Sequence, residues 1–280
     1  MNIEKAIIDA VDKLAKKKIK SPKIDSEILM SQIIKKDRKF VILNPKMELQ
    51  NDIFISFKEL IQQRANGKPV AYLTGKKDFW KYEFSINDSA LIPRPDTEII
   101  VEEVLKISKH KNKLHILEIG VGSGCILLSI LNEKKNFTGI GIDISKKCID
   151  LSILNASNIG LKNQVKFFKS DVDNFNYGKY DLIISNPPYI SRANLKVLDK
   201  EVVNFEPRLA LDGGLDGLSA IRKVVKKSSE LIKKNGKLVL EIGFNQKKKV
   251  KQILTSKGFY INKILKDYAY NDRCIISTKQ

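Results

Sequence analysis

The chain contains few of the residues that build metal cages, disulfide frameworks or histidine triads. It holds 3 cysteines and 2 histidines in 280 residues. Cys125, Cys148 and Cys274 are odd in number, widely separated and form no CxxC pair, so they indicate neither a disulfide framework nor a zinc site. His110 and His115 are interpreted as structural rather than catalytic. These scarcities predict a protein of a reducing, cytoplasmic compartment whose chemistry requires no metal.

Long apolar runs are missing as well. The apolar stretches, such as the one at residues 126–128, fall far below the roughly 20 residues that span a bilayer. The N-terminal segment carries acidic residues at Glu4, Asp9 and Asp12, and no apolar signal-peptide core follows it. We therefore expect a soluble, unexported chain with no membrane partner.

Acidic residues are the minority among the charged ones. There are 51 lysines and arginines against 32 aspartates and glutamates, which gives a net charge of +19. Clustered basic residues would indicate a nucleic-acid partner, because they release phosphate counterions on binding. Here the excess is spread over the whole chain and consists mostly of lysine, which favours a solvated basic surface. Direct nucleic-acid binding is therefore not expected.

The length and the hydrophobic patterning predict two domains. Single cores usually occupy roughly 100 to 200 residues, and this chain is longer. Ile3, Ile7, Val11 and Leu14 recur at helical spacing, and similar stripes follow, so residues 1–78 are predicted to form a small helical bundle. A β-prone run from Phe79 then predicts a β-hairpin linker over residues 79–93.

Residues 94–280 are predicted to form an α/β domain. Strands alternate with helices, as expected for a mostly parallel sheet covered by helices on both faces. Seven strands are predicted, at residues 115–119, 139–142, 165–168, 182–185, 237–242, 260–265 and 274–277. The fold class is thus a Rossmann-like domain with a seven-stranded, mostly parallel sheet, joined to a small all-α bundle.

A glycine loop follows the first strand of this domain. Its residues are Gly120, Val121, Gly122, Ser123 and Gly124. Glycines let the backbone approach a ligand closely, and the helix start offers free N–H groups, so a nucleotide-like cofactor is indicated. Asp143 ends the next strand, where a carboxylate can accept hydrogen bonds from both ribose hydroxyls.

Two residues beside the loop favour a cationic ligand over a dinucleotide. A dinucleotide loop would place glycine or alanine where Cys125 stands. Glu118 adds a negative charge that suits a sulfonium and an amino group better than a pyrophosphate. A capping or solvated role for Glu118, and a nicotinamide oxidoreductase, remain alternatives.

The tetrapeptide Asn186-Pro187-Pro188-Tyr189 ends a buried strand at the edge where an open α/β sheet binds ligands. An amide or exocyclic amino nitrogen is a poor nucleophile because its lone pair is delocalised. The Asn186 side-chain oxygen and the Pro187 carbonyl could accept both N–H hydrogens and orient that lone pair toward a methyl donor. The prolines stiffen the loop, and Tyr189 offers a flat face. Catalysis is therefore assigned to Asn186, Pro187 and Tyr189, and acceptor binding to residues 186–189.

With these motifs, the sequence resembles S-adenosylmethionine-dependent N-methyltransferases that act on planar nitrogens. Further segments resemble the bacterial release factor glutamine methyltransferases, a protein-(glutamine-N5) methyltransferase family. They are residues 67–75, 91–98, 189–190 and 206–218. Two positions depart from the family pattern, since Glu118 replaces an aspartate and Val172 replaces a residue that is often aromatic.

The resemblance implies an activity, a cofactor and a partner. The acceptor would be the glutamine of the Gly-Gly-Gln loop in class I peptide chain release factors, and the reaction would belong to translation termination. S-adenosylmethionine would contact the glycine loop 120–124, Asp143, Val172 and Asn186. Apart from the resemblance, we expect residues 1–78 to recognise the substrate protein and the enzyme to act as a monomer.

Two other functions remain open at this stage. A DNA adenine-N6 methyltransferase could use the same tetrapeptide, although no arginine-rich target-recognition segment is found. A non-catalytic ribosome- or RNA-binding protein would account for the basic charge.

Overall fold

The computed structural model describes all 280 residues and divides into two compact units. The first unit comprises Met1–Lys76 together with Asp199–Phe205, and the second comprises Lys77–Leu198 together with Glu206–Gln280. The hairpin is formed by β1 (Lys76–Phe79) and β2 (Tyr82–Ser85). It therefore begins three residues earlier than the predicted linker, and nearly all of it belongs to the second unit.

The first unit is a helical bundle around one apolar core. Its helices are α1 (Ile3–Lys16), α2 (Pro22–Ile34), α3 (Arg38–Leu43), α4 (Asn51–Ala65), α5 (Val70–Thr74) and α9 (Lys200–Phe205). The side chain of Asn2 caps α1 by accepting from the Lys5 N–H at 3.0 Å, and Pro22 occupies the first turn of α2. The stripe predicted on α1 is buried at Ile3 and Leu14.

A buried ion cluster also stabilises the first unit. The guanidinium of Arg64 donates to Asp25 at 2.7 Å, to Glu201 at 2.6 Å and to the Lys68 carbonyl at 3.2 Å. Arg64 and Asp25 are both buried. Because Glu201 belongs to α9, this cluster holds a segment that is distant in sequence within the bundle.

The second unit contains a seven-stranded sheet flanked by helices. Its strands are β3 (His115–Ile119), β4 (Thr138–Asp143), β5 (Val165–Lys169), β6 (Tyr180–Ser185), β7 (Ile232–Glu241), β8 (Phe259–Lys266) and β9 (Asp272–Lys279). Its helices are α6 (Glu98–Ile107), α7 (Cys125–Glu133), α8 (Lys146–Asn158), α10 (Ser219–Leu231) and α11 (Lys247–Ser256). The strand order is β5-β4-β3-β6-β7-β9-β8, with β9 antiparallel to both of its neighbours. The predicted fold class is confirmed.

Successive residues of the central strands enter two separate cores, one on each face of the sheet. Ile116 packs into one core and Leu117 into the other, and Leu182 and Ile183 of β6 divide in the same way. Burial on both faces explains why these strands read as continuous apolar runs. No helix combines the length and the apolar character needed to cross a membrane.

The order of the strands determines where the functional residues meet. β3 lies between β4 and β6, and all three strands run parallel. The loops that follow them therefore emerge at one edge of the sheet, beside the point where the strand order reverses. This edge carries the glycine loop, Asp143 and the tetrapeptide.

Candidate active site

A cavity of about 450 Å³ lies at the carboxyl ends of β3, β4 and β6. All of its lining residues belong to the second unit. Among them are residues 118–123, Asp143, Val172 and residues 186–188. The structure thus brings together most of the cofactor and acceptor residues that the sequence predicts.

The glycine loop is tied to the end of β4. The Gly122 N–H donates to Asp143 Oδ2 at 3.0 Å, and the N–H groups of Gly120 and Val121 donate to the Ile142 carbonyl at 2.9 and 3.0 Å. Gly122 has a φ of +56°, a left-handed conformation that favours glycine. The loop can therefore turn beneath a ligand while its backbone stays anchored.

Both carboxylate oxygens of Asp143 accept hydrogen bonds from backbone N–H groups. Oδ2 accepts from Gly122, and Oδ1 accepts from the Ser145 N–H at 2.9 Å. Burial raises the pKa of Asp143, while these backbone N–H groups oppose the shift. A carboxylate oxygen can accept more than one hydrogen bond, so ribose hydroxyls can still bind here.

Glu118 lines the same cavity and is 1% exposed. Its Oε2 accepts from the Leu127 N–H at 3.0 Å, in the first turn of α7. Burial raises the pKa of Glu118 well above its usual value, and the charge of Asp143 adds to this. The carboxyl group therefore caps a helix, as one of the two interpretations held, but it is buried rather than solvated.

Val172 forms another part of the cavity wall. It begins a short turn after β5, in which Asp171 accepts from the Asp173 N–H at 2.9 Å, and its side chain packs against an apolar core. Lys223 pairs with Asp173 at 2.7 Å and also lines the cavity. This wall is apolar at Val172 and offers a surface to a flat base.

The tetrapeptide leaves β6 beside the glycine loop. Ser185 Oγ donates to the Ile119 carbonyl at 2.7 Å and so joins the ends of β6 and β3. Asn186 Nδ2 donates to Thr97 Oγ1 at 3.2 Å. Asn186, Pro187 and Pro188 line the cavity.

Two predicted site residues do not line the cavity. Gly124 has a φ of +81° and caps α7. Tyr189 turns its hydroxyl away to donate to Glu241 Oε1 at 3.2 Å, and Arg273 Nη1 donates to the same hydroxyl at 3.3 Å. Burial raises the pKa of Tyr189 above its ordinary range.

Sequence reasoning missed the residues behind the tetrapeptide. Glu241 ends β7 and is buried, yet it was read only as part of a strand. One signal could have found it, because a carboxylate that ends an apolar strand is the pattern used to select Asp143. The partner of Glu241 is Thr97, whose hydroxyl donates to Glu241 Oε2 at 2.8 Å.

The rim of the cavity joins two of the segments that carried the resemblance. Glu206 forms a close ion pair with Arg94 and accepts from the Ile92 N–H at 3.3 Å. Pro93, Arg94 and Pro207 line the cavity. Residues 91–98 and 206–218 therefore meet at the cavity.

The residue chemistry of the cavity fits S-adenosylmethionine. Asp143 suits a ribose, the backbone of the glycine loop permits close approach, and the wall at Val172 suits an adenine ring. Asp143 also places an acidic group near the loop, which suits a ligand that carries a sulfonium and an amino group.

Comparison with known proteins identifies methyltransferase relatives over nearly the whole chain. The protein-family model of the PrmC N-terminal domain matches residues 5–75, and the protein-family model of the methyltransferase small domain matches residues 96–216. The release factor glutamine methyltransferase of Buchnera aphidicola subsp. Baizongia pistaciae is 39% identical over 95% of this chain and 95% of its own. The protein of the same name from Caulobacter vibrioides is 34% identical over 100% of this chain and 97% of its own.

Among solved structures, a methyltransferase from Pyrococcus furiosus is similar in fold. Its TM-score is 0.52 at 15% identity, and the match covers 70% of this chain and 88% of that one. The matches confirm the predictions of a methyltransferase and of S-adenosylmethionine as its cofactor. Because the curated relatives align over nearly the full chain, this protein belongs to the release factor glutamine methyltransferase family.

Proposed function

We propose that this enzyme methylates the side-chain nitrogen (N5) of the glutamine in the Gly-Gly-Gln loop of class I peptide chain release factors. The observation that carries the proposal is the shared cavity, in which Asn186 and Pro187 lie beside the glycine loop and Asp143. Family membership supports the acceptor class, since the relatives are release factor glutamine methyltransferases.

Asn186 and Pro187 activate the acceptor by orienting it. The Asn186 side-chain oxygen and the Pro187 carbonyl oxygen accept the two hydrogens of the glutamine amide, which directs the nitrogen lone pair into the cavity. These acceptors also stabilise the positive charge that grows on nitrogen during the transfer. Pro187 and Pro188 restrict the backbone, so little reorganisation is needed.

S-adenosylmethionine, when bound, supplies an electrophilic methyl group. Asp143, the glycine loop and Val172 would hold and orient it, and Asn186 lines the same cavity. No base is required before the transfer, because the amide nitrogen becomes strongly acidic once it carries the fourth substituent. Tyr189 contributes by shaping the acceptor site, with its hydroxyl held by Glu241 and Arg273.

The helical unit is assigned to recognition of the substrate protein. Its apolar side chains at Ile42 and Leu43, at the end of α3, are 52% and 66% exposed. Exposed aliphatic side chains that adjoin one another are suited to a protein partner. We expect Leu43→Asp to raise the KM for intact release factor without changing kcat for a short Gly-Gly-Gln peptide.

The proposal includes a cytoplasmic monomer that does not bind nucleic acid directly. All three cysteines are free and buried, as suits a reducing compartment. Light scattering of the purified chain tests the oligomeric state, and a dimer at micromolar concentration would contradict this part of the proposal.

Mass spectrometry of release factor after reaction tests the activity. The expected result is one added methyl group on the glutamine of the Gly-Gly-Gln loop, and none on a substrate in which that glutamine is replaced by asparagine. Label from the methyl donor found on DNA and absent from release factor would instead support the adenine methyltransferase alternative.

Asn186→Ala tests the role of the tetrapeptide. We expect kcat to fall by about a hundredfold or more, as for the loss of a group that stabilises developing charge. Asn176→Ala is a control outside the cavity. Unchanged turnover with Asn186→Ala would refute the assignment of Asn186.

A further inference from the structure

A chain of hydrogen bonds runs behind the tetrapeptide and ends on one carboxylate. Asn186 Nδ2 lies 3.2 Å from Thr97 Oγ1, and Thr97 Oγ1 lies 2.8 Å from Glu241 Oε2. From the other side, Arg273 Nη1 lies 3.3 Å from the Tyr189 hydroxyl, which lies 3.2 Å from Glu241 Oε1. Two branches therefore converge on Glu241.

The chemistry of each group sets the direction of these bonds. An ionised carboxylate only accepts, and a hydroxyl has one hydrogen to donate. Thr97 donates its hydrogen to Glu241, so its oxygen can only accept from Asn186. The group of Asn186 that faces Thr97 must then be the NH₂.

This direction decides where the oxygen of the Asn186 amide lies. If the amide were turned over, its oxygen would face the Thr97 oxygen, and two acceptors would oppose each other without a hydrogen between them. With the NH₂ on Thr97, Oδ1 occupies the other side of the amide and is left to accept a hydrogen from the substrate. Asn186 lines the cavity, and its bond to Thr97 engages Nδ2 and leaves Oδ1 to the substrate.

We propose that Thr97 and Glu241 are positioning residues that fix the orientation of the Asn186 carboxamide and so make its oxygen the acceptor for the substrate N–H. The inference rests on the proposed function, because it needs Asn186 to receive that hydrogen. Neither residue touches the substrate in this proposal, and both act through Asn186.

Burial accounts for the strictness of this arrangement. Glu241 is 2% exposed, and Thr97 is 3% exposed although it also lines the cavity, so both groups lie out of bulk solvent. The charged and titratable groups that face Glu241 are Asp96 before α6, Tyr189 after β6, and Arg273 and Cys274 on β9. Arg273, itself held by Asp267 at 2.8 Å, favours the ionised form of Glu241.

Protonation of Glu241 would reverse part of the network. Burial raises its pKa to about 7, against the opposing effects of Thr97, Arg273 and Tyr189. A protonated carboxyl group donates one hydrogen, so one of the two hydroxyls must turn its own hydrogen elsewhere. Thr97 could then donate to Asn186 and allow the amide to turn over.

The test compares Thr97→Val with Thr97→Ser. Valine keeps the shape but removes the hydroxyl, whereas serine keeps the hydroxyl. We expect Thr97→Val to lower kcat by about tenfold or more, as for a lost hydrogen bond to a buried group, with the Kd for S-adenosylmethionine unchanged. Thr97→Ser should stay within about threefold of the unaltered enzyme by the same reasoning.

The pH profile supplies a readout that a merely structural role would not move. In the unaltered enzyme, kcat should fall as the pH decreases through about 7. In Glu241→Gln this fall should disappear from an already lowered kcat, and in Thr97→Val it should also be lost because Glu241 is no longer linked to Asn186. Thermal unfolding and calorimetry with S-adenosylmethionine confirm that each variant is folded.

Asn186→Ala separates the two levels of the proposal. If Asn186→Ala keeps its turnover, the proposed role of Asn186 fails, and the role of Thr97 and Glu241 fails with it. If Asn186→Ala is inactive while Thr97→Val keeps its turnover and its pH profile, only the positioning role is overturned. Loss of turnover and of the acid limb in Thr97→Val, with recovery in Thr97→Ser, supports it.

Discussion

The side-chain amide of Gln246 holds the carbonyl of Tyr189 at 2.9 Å, and the same Nε2 donates to the Gly217 carbonyl at 2.9 Å. Its oxygen accepts from the Gly243 N–H, also at 2.9 Å. One buried side chain therefore fastens the last residue of the tetrapeptide to two other loops. No motif in the sequence had singled out Gln246.

We expect Gln246→Leu to destabilise the fold and to slow turnover. Leucine fills a similar volume but leaves three backbone groups without partners, at a cost of about 1 to 3 kcal/mol for each group that stays buried. The loop that carries Asn186 would become less well ordered, so kcat should fall more than the Kd for S-adenosylmethionine rises. Denaturant unfolding and steady-state kinetics measure both effects, and unchanged kcat in a destabilised variant would contradict the proposed clamp.

Gly217 is expected to be intolerant of a side chain. It has a φ of +75°, and a Cβ added there would lie 2.5 Å from the Tyr189 carbonyl oxygen. Gly160 has a φ of +77° with nothing within 4 Å of the added atom, so it provides a matched control. Gly160→Ala should cost about 1 kcal/mol of stability and leave kcat unchanged.

Gly217→Ala should cost more and also lower kcat, because the new methyl group displaces Tyr189. The difference between the two alanine variants isolates the clash from the backbone strain that they share. Equal losses of stability with unchanged kcat in both would show that the backbone beside Tyr189 can move without consequence.

The pH dependence of stability is expected to carry a contribution from Glu241. Its pKa is about 7 in the folded chain against an ordinary value of 4.5. The folded state then binds more protons than the unfolded state between these values, so stability falls as the pH rises through this window. The loss should be on the order of 3 kcal/mol.

Glu241→Gln should remove that slope between pH 4.5 and about 7. The quantity to compare is the difference in unfolding free energy between the two proteins at each pH. Burial also raises the pKa of Glu118, which contributes a slope of the same sign in both proteins. Asp216 titrates at about 2, below the window. Parallel stability curves for the two proteins would mean that Glu241 does not titrate there.

Local patterns predicted the central strands well. β3 was expected at residues 115–119 and is found at His115–Ile119, because a buried apolar run ends at the glycine loop. β7 begins at Ile232 rather than at 237. Its first part contains Lys233, Lys234 and Gly236, which lack the apolar pattern from which the strands were predicted, so this extension of β7 was not expected.

Contiguous sequence motifs predicted most of the residues that line the cavity. The residues that hold the tetrapeptide from behind come together only in the folded chain. Thr97 and Glu241 are 144 residues apart and meet because α6, which begins after Thr97, packs against β7. The sequence pattern also gave no indication that Asp199–Phe205 belongs to the helical unit. Glu201 of this segment pairs with Arg64, which lies 137 residues away along the chain, and no sequence periodicity links the two.

Asp143 is expected to contribute mainly to cofactor affinity. Asp143→Ala removes the acceptor for the Gly122 N–H at 3.0 Å as well as the proposed ribose ligand. The Kd for S-adenosylmethionine should rise by about 10- to 100-fold, as for lost hydrogen bonds to a charged group. Asp150→Ala is a control at an exposed position of α8 and should leave the Kd unchanged. Calorimetry decides, and equal Kd values for both variants would remove Asp143 from the binding site.

Arg64 offers a test confined to the helical unit. Arg64→Met leaves Asp25 buried with only the Ser21 hydroxyl as a side-chain partner. Breaking a buried ion pair in this way costs about 3 to 5 kcal/mol. Hydrogen exchange of α2 and α4 should therefore accelerate strongly, while exchange of β3 in the other unit stays unchanged.

Two further variants identify the cause of that loss. Arg64→Lys should not restore protection, since an ammonium group lacks the planar fork that reaches Asp25, Glu201 and the Lys68 carbonyl together. Adding Asp25→Leu to Arg64→Met should recover part of the protection, because the uncompensated buried charge is then gone. If the double variant loses as much protection as the two single variants together, the destabilisation by Arg64→Met comes from lost packing rather than from the unpaired Asp25 carboxylate.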